Sequence, residues 1–354
     1  MSSTLTSAVN NNLVRTTTSS RAECCVLAHV AFDMGVFVLT LSLCLALACS
    51  IFLDLPWYTC VALLAFILGL RSLAHKLRDP YGSFHIDLNR IDPAEKGEPK
   101  TEWLNMGYWK DAKSFPDACE ALALKVINAA HCAPGGRVLD VGHGSGESLL
   151  LQLQHPNVPR PSELVGITSL AEHHKRALAR TKLADSSSTH VTLYHGDAVY
   201  RSNKAGRDHP LSPSTSAPGF TSVVAIDCAY HFHTRRDFLV QCFATLAPGG
   251  RIALADLCFG ADASGNTRGW EGTLISLLGV MPKDNIVSCD AYVCEMESIG
   301  YEDVHLEDIS ADVFPGFIRF LSSRGVAWRL FSQMISLLVV LGVRFVVVSG
   351  RKPL

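Results

Sequence analysis

The chain has 354 residues, 48% of them hydrophobic and only 18% charged, with 31 Lys and Arg set against 33 Asp and Glu for a net charge of −2. That balance removes the electrostatic attraction on which non-specific nucleic-acid binding depends, so no nucleic-acid partner is expected. A charged fraction below the roughly 25% of soluble domains, with a mean hydropathy of +0.21, points to a part of the chain that sits in lipid. The twelve cysteines show no CxxC pair and no His/Cys cluster at zinc spacing. They indicate neither a disulfide framework nor a structural metal site, and they suit a reducing compartment.

Residues 1 to 22 are rich in Ser, Thr and Asn and carry Arg15 and Arg21 with no acid before Glu23, the composition of a disordered tail. An organellar transit peptide is the weaker alternative. Residues 23 to 75 read as a membrane anchor of two hydrophobic helices. The uncharged run from Met34 to Leu53 is long enough to cross a hydrocarbon core of about 30 Å as a helix. A second run from Trp57 to Leu70 follows after a turn-like LDLP and needs Leu55 or Leu73 to reach spanning length. Arg15 and Arg21 before the hairpin and Arg71, Lys76 and Arg78 after it place both flanks on the cytosolic side. The endoplasmic reticulum is the expected membrane, with a mitochondrial one as the alternative. A buried two-helix core remains open, although Asp33 and Asp54 bracket the first run instead of interrupting it.

Residues 76 to 100 form a polar linker with the turn signals DPYG and IDPAEKGEPK. From 101 to 354 short apolar runs alternate with helical patterns. Strands are expected at 137–141, 163–167, 190–195, 221–227, 251–257, 302–308 and 344–349, and helices at 147–154, 170–184, 235–246 and 289–299. Gly249 and Gly250 are expected to separate a helix end from the next strand, and 201–219 reads as a loop insertion. Between Phe331 and Val348, Arg344 interrupts the apolar run, so this is no third span. Leu330, Met334, Leu337, Leu338 and Leu341 fall on one helical stripe that leads into a last strand. The fold class is α/β: a seven-stranded, mainly parallel, doubly wound Rossmann-like sheet behind an N-terminal helical hairpin.

The strongest local signal is RVLDVGHGSGE from Arg137 to Glu147, a strand that ends in an acid and turns through glycines. Gly142, Gly144 and Gly146 let the backbone turn tightly and let a ligand approach it. A dinucleotide fingerprint needs a glycine where Glu147 stands, and that side chain would obstruct and repel a pyrophosphate. No GxxxxGK[ST] loop is present either.

This segment resembles motif I of the class I S-adenosylmethionine-dependent methyltransferases. Further resemblances follow in order. GITSLAEHHKRA (166–177) is similar to the second motif of the branch that holds sterol, tocopherol and ubiquinone-pathway methyltransferases and cyclopropane fatty acid synthases. HGDA (195–198) resembles the third motif, LAPGGRIALAD (246–256) the segment after the fourth, and NMGYW (105–109) the lid. The resemblance covers about residues 101–354 and implies S-adenosylmethionine as cofactor, with a methyltransferase sheet around it. It places Asp140 and the three glycines at the methionine part of the cofactor, and Asp197 at the adenine. Tyr108 and Trp109 are the implied lid aromatics, whose faces attract a sulfonium cation. The strand end that often carries a ribose-binding acid holds Thr168 and Ser169 here, whose hydroxyls can bond a ribose.

Asp227 ends the fourth strand, and His231 follows it into the crevice where parallel sheets bind ligands. His231 is the expected base for proton removal. The O-methylating relatives imply Asp256 on the fifth strand as its catalytic companion. His143, His173 and His174 are expected to be solvated. The apolar WEGTLISLLGVMP (270–282) lies where relatives insert an acceptor-binding cap, which suits a small-molecule or lipid acceptor. Two rivals stay open: a membrane-tethered module with the fold but no chemistry, and a nicotinamide-dependent oxidoreductase, which Glu147 disfavours.

Overall fold

The computed structural model describes residues 83–91, 97–184, 188–202, 208–213, 218–260 and 281–354. The expected membrane hairpin (34–53 and 57–70) and most of the expected acceptor cap (270–282) lie outside them. Among the described residues no helix is long and apolar enough to cross a membrane.

Seven strands form one sheet: β1 (Arg137–Val141), β2 (Glu163–Thr168), β3 (His190–His195), β4 (Phe220–Ile226), β5 (Leu246–Phe259), β6 (Glu302–Asp308) and β7 (Val343–Arg351), in the order β3-β2-β1-β4-β5-β7-β6. The central strands β1, β2 and β4 carry continuous buried apolar runs, as strands covered by helices on both faces must. The edges differ. β3 reads HVTLYH and β6 reads EDVHLED, with exposed ends and charge along the rim, which keeps an edge from pairing with another chain.

Between the strands run α1 (Phe115–Ala129), α2 (Glu147–Gln154), α3 (Ala171–Leu183), α4 (Arg235–Thr245), α5 (Cys289–Ile299), α6 (Ser310–Ser323) and α7 (Val326–Val340). Side chains of Ser114, Thr234 and Ser288 cap α1, α4 and α5, satisfying amides that a helix start leaves open. β1 through β5 pair in parallel with their neighbours. β7 runs antiparallel to both β5 and β6, because two helices instead of one connect it to β6 and turn the chain round once more.

Three expectations change. β5 starts at Leu246, directly after α4, and Gly249 and Gly250 lie inside its span, where pairing with β4 slips between Phe220 and Ser222. They make a bulge in the strand and do not end a helix. On α7 the buried face is Trp328, Ser332, Ile335 and Leu338, while Leu337 is 43% exposed. The burial stripe is therefore set by packing on α6 and lies to one side of the leucine row. Part of the expected linker is folded in. The compact unit runs Ile86–Leu354, and buried Asn89 bonds the carbonyls of Ile86 and Trp103 while accepting from the Trp103 amide and the Thr101 hydroxyl.

Candidate active site

β1 is flanked by β2 on one side and β4 on the other, so a crevice opens at the carboxyl ends of β1 and β4, the switch point of an open parallel sheet. Two turns meet there. The glycine loop leaves β1 with φ of +74°, +55° and +98° at Gly142, Gly144 and Gly146, conformations that favour glycine. A Cβ at Gly142 would lie 2.6 Å from the Sγ of Cys228, on the turn that leaves β4. The two turns approach so closely only because that atom is missing. The Gly142 amide donates to the Ile167 carbonyl at 2.8 Å, which holds the loop against β2.

Asp140, at the end of β1, is 1% exposed; Gln152 donates to its Oδ2 at 2.8 Å, while its Oδ1 is buried without a hydrogen bond. Burial pushes its carboxyl up to about 7, against the pull of Ser148 and Gln152. Asp227 stands at the matching place after β4, in the left-handed region at φ +57°. Its Oδ2 accepts the Met106 amide at 2.7 Å and its Oδ1 is also covered and without a hydrogen bond. Burial raises this carboxyl to about 7 as well, opposed by the Met106 amide and the nearby Tyr230 hydroxyl.

The segment 102–109 thus crosses the site and is fastened at both ends. At its start, the Glu102 amide donates to Glu147 at 2.5 Å, Arg176 holds the Glu102 carboxylate at 2.6 Å, Arg180 pairs with Glu147, and the Ser145 hydroxyl donates to the Glu102 carbonyl. Glu147, singled out for opposing a pyrophosphate, spends its charge on this clasp.

The two lid aromatics are docked on α6. The Tyr108 hydroxyl donates to Asp312 at 3.2 Å with Lys125 over its ring, and the Trp109 ring packs against Phe320 and Phe115 beside Gly316. These contacts fix the lid on α6, and the Tyr108 face already carries the Lys125 ammonium. Leu104 is what reaches the loop: a Cβ at Gly144 would stand 2.9 Å from its Cδ1.

At the other end of the crevice β2 and β3 finish side by side. Thr168 pairs with His195 in register, Thr168 is 5% exposed, and Ser169 and Asp197 are exposed. The structure therefore brings Asp140, the glycines, Thr168, Ser169, Asp197 and Asp227 to one rim.

His231 ends a short 3-10 turn, Ala229–His231, and is exposed, with the Tyr230 ring 4.1 Å from its own. Asp256 belongs to a different group. It is 0% exposed, and Arg235, Tyr292 and the Leu257 amide donate to it at 3.0, 2.9 and 2.9 Å. Burial pushes its carboxyl up, and Arg235 pulls it back. Arg235 itself is 1% exposed, lies over the Tyr292 ring and bonds the Leu257 and Asn285 carbonyls. Fully buried and bonded by three internal donors, Asp256 holds the turn after His231 in place and presents no exposed oxygen to an acceptor.

The expectation of solvated histidines is also corrected. His143 is 6% and His173 4% exposed. The His143 ring lies on β2 at Gly166, where a Cβ would stand 2.8 Å from it, and its Nδ1 donates to the Gly144 carbonyl. Burial drives this imidazole down to about 3, so the loop carries no positive charge at neutral pH. His173 shares the inward face of α3 with Ala177 and Thr181.

Comparison with known proteins converges with this geometry. No family model matches the chain. It is 26% identical to the erythromycin 3''-O-methyltransferase of Saccharopolyspora erythraea over 285 residues, 73% of this chain and 87% of that protein. The chain is thus similar to class I S-adenosylmethionine-dependent methyltransferases. Among solved structures of this fold, the cyclopropane synthase MmaA2 of Mycobacterium tuberculosis superposes with a TM-score of 0.55 at 12% identity, over 78% of this methyltransferase and 99% of the synthase. The [4+2]-cyclase SpnF superposes with a TM-score of 0.53 at 17% identity, over 71% and 88%.

Proposed function

We propose that the chain methylates an oxygen of an apolar small molecule, with S-adenosylmethionine as donor, at a membrane to which residues 34 to 70 anchor it with the soluble part facing the cytosol. One observation carries the transfer: two buried carboxylate oxygens without hydrogen bonds, on Asp140 and Asp227, flank a glycine loop beside the exposed imidazole of His231. An unpaired buried acceptor costs about 1 to 3 kcal/mol, which a bound donor offsets. A cofactor that is cationic and carries amino and hydroxyl donors suits these groups, and the neutral His143 opposes none of its charge. Asp140 and the glycines would hold its amino-acid part, Thr168 and Ser169 the ribose and Asp197 the adenine.

When bound, S-adenosylmethionine supplies a methyl group on a good leaving group. The residues of the chain then have two tasks. Asp227 fixes Met106 and so places the lid, which holds the reactants in line. His231 takes the proton from the acceptor hydroxyl as the oxygen is methylated. An oxygen acceptor is supported by the likeness to an O-methyltransferase, and an apolar one by the run at 270–282.

The reading without methyl transfer is favoured by one finding, the cyclase that shares the fold. Incubation of the full chain with methyl-labelled S-adenosylmethionine and a membrane extract separates the two. Label in an extractable product, reduced in His231→Ala, supports transfer. A chain that binds the cofactor yet labels nothing contradicts it. Carbonate washing leaves the protein with membranes if the anchor is real, and release into the supernatant removes that part.

A further inference from the structure

Two thiols outside the crevice stand unusually close. Cys258, on β5, and Cys289, the first residue of α5, have their Sγ atoms 2.7 Å apart across 31 positions of sequence. The backbone holds them there: the Phe259 amide donates to the Val287 carbonyl at 3.0 Å, and Phe259 pairs with Ser288 as a parallel bridge. Cys258 is 0% exposed, whereas Cys289 is half-buried and reachable from solvent. A disulfide needs sulfurs at about 2.05 Å, a closure of well under 1 Å from this geometry.

We propose that Cys258 and Cys289 form a reversible redox site that reacts with low-molecular-weight disulfides such as oxidised glutathione. Cys289 is the attacking sulfur. The hydrogen bond from Cys258 favours its thiolate and lowers its pKa against burial and the nearby carboxylates of Asp308 and Asp290, with help from Arg344 and the amino end of α5. The thiolate attacks one sulfur of the glutathione disulfide, that S–S bond breaks, and one glutathione thiol leaves. Cys258 then attacks the Sγ of Cys289, the mixed disulfide breaks, and the proton of Cys258 departs with the second glutathione thiol. Two protein thiols are oxidised and one glutathione disulfide is reduced to two thiols. The product staples β5 to the first turn of α5, the helix whose Tyr292 bonds Asp256.

The test equilibrates the full chain with graded ratios of reduced and oxidised glutathione, alkylates the remaining thiols and maps peptides without reduction. The expected result is a Cys258–Cys289 linked peptide that grows as both thiols vanish together, and that reduction reverses. The melting temperature of the oxidised protein should rise by about 5 °C, because the cross-link closes a long loop. In Cys289→Ser the linked peptide and the shift disappear. Should that variant fail to fold, the wild-type peptide map decides alone. Glutathione retained on Cys289, linkage of Cys289 to another cysteine such as Cys294, or alkylation of both thiols at every ratio overturns the proposal.

Discussion

Three aspartates stand along the adjoining strands β1, β4 and β5, yet their surroundings divide them. Asp256 receives a guanidinium, a phenol and an amide. Asp140 and Asp227 each keep a buried oxygen without a hydrogen bond. The first carboxylate has both oxygens bonded within the chain and supports the fold, while the other two keep an acceptor oxygen that a bound donor can complete. Position on a strand does not separate the two cases; the count of donors does.

The largest effect expected from this contrast falls on Asp256. Asp256→Ala leaves Arg235 charged and buried without its partner, and loss of one member of such a pair costs about 3 to 5 kcal/mol. Denaturant unfolding that shows wild-type stability would break the contrast at its closed end. His231→Ala tests the open end: the transfer rate is expected to fall by about 10²- to 10⁴-fold with cofactor affinity retained. Equal losses of rate and affinity would make His231 part of the binding surface. Asp140→Asn is expected to weaken cofactor binding at least about tenfold, or 1.4 kcal/mol, while changing stability by less than Asp256→Ala does.

The two open carboxylates also give a pH dependence with a definite sign. Folding raises Asp140 and Asp227 from 3.8 to about 7, so between these limits the folded chain holds more protons than the unfolded one. Their contribution makes stability fall as pH rises from about 4 to 7 and level off above, and cofactor affinity rise over the same interval as the carboxylates ionise. Denaturant midpoints at pH 5 and 7.5, with and without Asp140→Asn and Asp227→Asn, measure it. A slope unchanged by both substitutions would remove these groups from the account.

Much of the frame was legible in the residues. RVLDV, HVTLYH and EDVHLED form strands with the expected bounds, the first because an apolar run between turn signals must be buried, the other two because apolar residues alternate with polar ones at an edge. The glycine loop was equally plain, since three closely spaced glycines after an acid constrain the backbone whatever surrounds them. Contacts between distant segments were not legible. Nothing near Asp256 announces Tyr292, 36 positions away, and nothing in NMGYW shows that Asp312 and Phe320 will claim Tyr108 and Trp109. His143 is buried because β2 has a glycine at 166 opposite it, a match visible only once β1 and β2 pair. α6 went unread because Pro315 interrupts its pattern.

The central claim is that the open acceptors of Asp140 and Asp227 complete a site for a cationic nucleoside. Calorimetric titration of the full chain with S-adenosylmethionine at pH 7.5, beside Asp140→Asn and Asp256→Asn, tests it most directly. The account expects saturable binding by the wild type, weakened by Asp140→Asn and, where the protein remains folded, retained in Asp256→Asn. Absence of heat in a folded wild type, or binding indifferent to Asp140, would contradict it.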